Sequence, residues 1–131
     1  GTYLSAKKND LLKKIKQLDT ESQRAFLTAY FDDEGCITYD IKDNNRKVRG
    51  YQHDHKLLLL VQKLLKNFNS ESTINKTYTE ILITRRKNLE QFQKEINFSP
   101  GVKINGNRSN SLWKKSIEKR KLLKMAVESY L

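Results

Sequence analysis

This sequence predicts an α+β fold: one antiparallel four-stranded sheet with helices on one face, preceded by an extra N-terminal helix. Three observations carry that prediction. Helical periodicity and strand alternation take turns along the chain, in the order helix, helix–strand–strand–helix, strand–strand–helix–helix. The strand segments come in pairs split by short turn clusters, which makes hairpins and therefore antiparallel neighbours. The 131 residues suit one domain that buries a core without disulfides or a structural metal, and a single Cys excludes a disulfide framework or a cysteine-based zinc site.

Residues 5–18 read as a helix with Leu11, Ile15 and Leu18 on one stripe, Leu12 beside it and lysines opposite. This segment forms an N-terminal extension, residues 1–19, ahead of a main domain over 20–131. Thr20 followed by Gln23 is a capping-box signature for a second helix over about 21–33, apolar around most of its circumference and so expected to be buried on more than one side. Gly35 ends it. Residues 36–42 alternate, with Ile37, Tyr39 and Ile41 assigned inward and Thr38, Asp40 and Lys42 outward. Asp43-Asn44-Asn45 is a turn cluster, and 46–54 a weaker returning strand with Gly50 as a candidate bulge. Residues 56–68 (KLLLLVQKLLKNF) form an apolar helix. Segments 70–78 and 79–86 read as a second hairpin, 87–97 as a short helix, and 111–130 as the closing helix.

Charge gives the first functional clue. The net charge is +11 with a sequence pI of about 9.8, and mean hydropathy is -0.78. Residues 51–131 carry 16 of the 26 basic side chains against 7 acidic ones. Such a field favours a polyanion, nucleic acid before a membrane surface, because no segment pairs a broad apolar face with a basic one. No apolar run approaches the roughly 18 residues of a membrane span. The N-terminus lacks a signal-peptide pattern, which points to an intracellular setting. Gly1 stands where a Met would open a gene product, which reads as a processed or excised piece.

Residues 27–35 (LTAYFDDEG) put three carboxylates at the C-terminal end of an apolar helix, where the helix dipole already places partial negative charge. Either a cation offsets them, and a hard divalent ion takes carboxylate oxygens, or they are solvated helix-end acids. On a basic protein a bound Mg²⁺ points to phosphodiester chemistry.

The stretch AFLTAYFDDEGCI resembles the LAGLIDADG motif of homing endonucleases and their relatives. Leu27, Ala29, Phe31, Asp32, Glu34 and Gly35 fall on its apolar, small and acidic positions, and the phrase INFSPGVK resembles a later family segment; the resemblance covers about residues 22–125. It implies an αββαββα domain and a site-specific DNA endonuclease that cuts both strands with Mg²⁺ or another divalent cation. Glu34 would be the metal ligand, with Gly35 beside it. Asp32 would be a structural helix-end residue near the subunit contact, and Asp33, at a position commonly small, would be solvated. Ala25 and Ala29, four apart, would let two such helices approach closely, giving a homodimer on double-stranded DNA or a pairing with a second half; ordinary packing within one chain is the alternative. Lys103 would stabilise charge near the scissile phosphate, and His53 would organise water. His53-Asp54-His55 is too short a signal for a zinc site. The sheet would lie in the major groove, with Thr38, Asp40, Lys42, Asn75 and Arg85 or Arg86 as readers, and Lys114 on phosphate. The same scaffold also resembles nucleic-acid-binding relatives without cleavage, intron maturases or DNA-binding regulators.

Overall fold

A computed structural model describes residues 3–104 and 116–130. Helices α1 (Tyr3–Lys16) and α2 (Thr20–Glu34) are followed by β1 (Gly35–Asp40), β2 (Asn45–Tyr51), α3 (His55–Asn67), β3 (Thr73–Asn75), β4 (Glu80–Ile83), α4 (Arg86–Glu95) and α5 (Lys119–Glu128). The four strands form one antiparallel sheet in the order β1-β2-β4-β3. The fold is α+β, as the alternation of elements predicts. The part of the expected closing helix over 105–115 lies outside the described residues, and α5 begins at Lys119.

Helix α2 is capped by Asp19, one residue earlier than the capping-box reading placed it. The Asp19 carboxylate accepts the Ser22 N–H at 2.7 Å, which holds its pKa below the usual carboxylate value. Gln23 instead reaches back to the carbonyls of Lys16 and Leu18, bridging the two helices. Among the residues of α1 whose side chains are described, Leu12 and Ile15 meet the core, while Leu11 is exposed, as is Leu18 beyond the helix. The helix ends at Lys16, so Leu18 sits beyond the stripe that periodicity assigned it to. Asn69 and Asn97, both at positive φ, close α3 and α4 in the left-handed conformation that asparagine tolerates.

The inward face of the sheet carries Ile37, Tyr39, Val48, Ile81 and Ile83, all buried against the helices. Phe31 and Phe92 meet edge to face with centroids 5.0 Å apart, and Phe98 continues the chain of rings at 5.6 Å. Ile41 is not part of this face. Strand β1 ends at Asp40, and Ile41 stands 68% exposed in the turn, because Asn44 at φ 53 reverses the chain there. Nor is Gly50 a bulge: it pairs in regular register with Gly35 and Ile81. Its missing side chain makes room for α2, since a Cβ there would lie 2.8 Å from Tyr30 Cε1. Strand β4 stops at Ile83, so Arg85 and Arg86 belong to the start of α4 and not to the hairpin.

Candidate active site and nucleic-acid interface

The three acids at the end of α2 have separate environments. The Asp32 carboxylate turns inward within its own chain, accepting the Ser99 N–H at 2.9 Å and the Ser99 hydroxyl at 2.5 Å. Asp33 and Glu34 are exposed. Beneath them lies a group that the sequence reading did not single out. Lys119, at the first turn of α5, is 8% exposed, and its ammonium donates to the carbonyl oxygens of Asp32 at 3.0 Å and Gly35 at 2.7 Å. Burial pushes its pKa below the ordinary lysine value, while Cys36, Asp32 and Asp33 pull it back up. A cation therefore does offset the negative end of this helix, and it is supplied by the chain itself. Tyr30, one turn before Glu34, donates its hydroxyl to the Tyr51 carbonyl at 3.0 Å; burial, then the nearby Glu34 charge, raises its pKa.

Pairing of Gly35 with Gly50 puts Glu34 at the same end of the sheet as the exit of β2. His53 stands exposed two residues beyond Tyr51, just before Asp54 caps α3. Lys103 is exposed on a short bridge opposite Glu118, and the next residue pair along that bridge ties Val102 to Lys119. Glu34 and His53 thus stand at one end of the sheet, and Lys103 lies next to Val102, which is tied to the Lys119 backbone. Among the described residues no group of three or more His, Cys, Asp or Glu forms a metal cage, so one chain offers Glu34 as an exposed carboxylate donor, with the Gly35 oxygen already accepting from Lys119.

The outward face of the sheet runs in cross-strand rows. Thr38 faces Lys47, Asp40 faces Asn45, and Cys36 faces Arg49, which in turn faces Leu82 and then Thr73. Asp40 Oδ1 accepts the N–H groups of Lys42 and Asp43, and Asn75 Oδ1 accepts those of Thr77 and Tyr78, so both acceptors close turns. Arg86 pairs with Glu90 at 2.7 Å, and Arg85 is held at φ 75 ahead of α4. Lys114 lies outside the described residues. The cations that the register puts on this face are Lys47 and Arg49, which sequence reasoning passed over because NRKVRGY carries too few apolar residues to phase a strand. Counting outward from the turn at 41–44 would have paired Thr38 with Lys47.

Residues 21–97 match the LAGLIDADG-like domain family. The chain belongs to that family. No curated protein and no solved structure matches it. LAGLIDADG membership makes the chain a homing endonuclease or a related nucleic-acid-binding protein, in a family that is nuclease-related and typically uses divalent metals. DNA binding and dimerisation are general in the family. Among the described residues no helix is long and apolar enough to cross a membrane. Within the LAGLIDADG helix, Leu27, Tyr30 and Phe31 pack into the core, while Ala25, Ala29 and Asp33 form a bare strip on the other side. As expected, α2 is covered on more than one side, by α3, β1 and β2, and the alanines leave the remaining strip thin and open.

Proposed function

We propose that this chain is a site-specific endonuclease that hydrolyses a phosphodiester in each strand of double-stranded DNA, acting as a homodimer or paired with a second half of the same kind. One observation carries the reading. Glu34 is left exposed at the end of α2, although the Asp32 carboxylate and the helix-end carbonyls beside it are bonded within the chain, and its helix carries the exposed strip of Ala25 and Ala29 and leads directly into β1 of the cationic sheet. Two copies joined along that strip bring two Glu34 carboxylates together at the axis, the oxygen donors that a hard divalent ion takes. Glu34 would hold the ion, one carboxylate from each chain, since the Gly35 oxygen already accepts from the Lys119 ammonium. A bound Mg²⁺ would supply charge neutralisation at the scissile phosphate and a more acidic water.

The chain's own residues have distinct tasks around it. Lys103 faces the developing charge on the phosphate oxygens. His53 accepts or relays a proton from solvent water at the exit of β2. Thr38 and Lys42 contact the duplex from the first hairpin, and Arg85 and Arg86 from the start of α4; Asp40 shapes the turn that presents Lys42, and Asn75 the turn between β3 and β4. Lys114 adds a phosphate contact. Residues 1–19 are an extension whose helix α1 packs on α3, where Lys56 Nζ donates to Asn9 Oδ1 at 3.3 Å.

The test is incubation of the full chain with Mg²⁺ and a DNA library that includes its own uninterrupted locus. Double-strand cutting at one site is expected. Glu34→Gln should remove cutting while binding survives, because the amide keeps the shape and loses the charge. Cutting by Glu34→Gln at the wild-type rate would refute the assignment of Glu34. Tight, selective binding with no cutting in Mg²⁺ or Mn²⁺ would make the chain a binding protein instead.

A further inference from the structure

The outward face of the sheet holds a forked donor whose Nε has no hydrogen-bond partner among the described residues. Arg49 lies on β2, an inner strand, and its cross-strand row holds Cys36 on one side and Leu82 and Thr73 on the other. None of the three is charged or bulky enough to cover it. Its guanidinium stands over the Tyr51 ring, 5.7 Å from the centroid, and its Nε is buried without a hydrogen-bond partner. Among the described residues no carboxylate pairs with it. Leu82 and Thr73 open onto a cavity of about 280 Å³, so the surface recedes beside it. Asp40 and Asn75, also candidates for reading bases, accept hydrogen bonds within their own turns.

We infer that Arg49 reads a guanine in each half-site, donating two N–H bonds to O6 and N7 in the major groove. This rests on the DNA-binding part of the proposed function and goes beyond it, naming the base and the reader. Arginine is suited to the task because its planar fork matches the two guanine acceptors, and a ring beneath it limits the orientations it can take. The low row on which it stands lets a base edge come close, and Leu82 beside it offers apolar contact to a neighbouring thymine methyl. Lys47, one row away, carries its charge on a flexible stem and serves phosphate.

The experiment is selection of bound duplexes from a randomised pool with the full chain at fixed salt, for wild type, Arg49→Ala, Arg49→Lys and Lys47→Ala. Wild type should recover sites with an invariant guanine in each half. Both Arg49 variants should lose preference at that position by about 5- to 150-fold and keep it elsewhere. Lysine retains the charge, so its failure separates base reading from phosphate contact even if alanine perturbs folding. Lys47→Ala should weaken all sequences alike. Selective binding that both Arg49 variants leave unchanged, or weaken uniformly, overturns the inference alone. Absence of any duplex binding by wild type overturns it together with the DNA-binding reading.

Discussion

Hairpin β1–β2 meets helix α2 through two facing glycines, whereas hairpin β3–β4 meets α3 through side chains. At Gly50 a Cβ would crowd the Tyr30 ring at 2.8 Å, and at Gly35 it would lie 2.3 Å from the Phe31 carbonyl oxygen. Opposite Gly50 on β4 stands Ile81, and opposite Val48 stands Ile83, both fully buried. The two hairpins differ outward as well. The first presents Lys47 and Arg49; the second presents Thr73 and Leu82, with Glu80 buried at its start. The contrast teaches that the hairpin carrying the cations is the one whose backbone touches the helix bearing Glu34, so candidate recognition and candidate chemistry share one rigid seam.

That contrast can be broken at several points. Ile81→Ala should cost the most, about 2–5 kcal/mol by urea unfolding, because it opens a cavity where the second hairpin depends on side-chain volume. Gly50→Ala should cost about 1–3 kcal/mol through overpacking. Pairing it with Tyr30→Ala should cost less than the sum of the two single changes, a coupling that Ile81→Ala with Tyr30→Ala should not show. Lys119→Met should lose about 1–3 kcal/mol by leaving the Asp32 and Gly35 carbonyls without their donor. The lysine also carries a pH signature. Its native pKa is depressed, so over the alkaline window below 10.5 the unfolded chain binds more protons and stability rises with pH; the contribution is full above that value and is lost as pH falls through the native pKa. Lys119→Met should flatten that rise in a pH series of melting curves. The smallest effects lie on the outward face. Lys47→Ala should reduce the salt slope of DNA binding by about one unit, and Thr73→Val should leave it unchanged.

The alternation of elements was legible in the sequence because each element is short and its apolar period is clean, as in LLLLVQKLL, where Leu58, Val61, Leu64 and Leu65 are fully buried. Element ends were not. Asp19 outcompetes Thr20 as a cap, and Ile41 is an apolar residue left in a turn by the left-handed Asn44, outcomes that depend on backbone geometry rather than on pattern. Of the candidate site, the acids at 32–34 were visible as a charge placed against a helix dipole. Lys119 was not, since one lysine in EKRKLLKM looks like any other until the fold brings it under α2. The cations of β2 stayed hidden for a related reason: a strand exposed on one face with one apolar residue inward at Val48 gives periodicity little to detect.

The ammonium of Lys119 under the end of α2 has a consequence for how such a chain ages. An acidic helix terminus neutralised from within needs no outside ion to stay folded, so Glu34 can be replaced without undoing the architecture around it. Under the proposed assignment cutting would rest on Glu34 and the holding of DNA on the sheet face beside it, so the first could be lost without the second. A lineage can discard the first by a single substitution and still inherit a sound scaffold, free to be kept for whatever its sheet continues to grip.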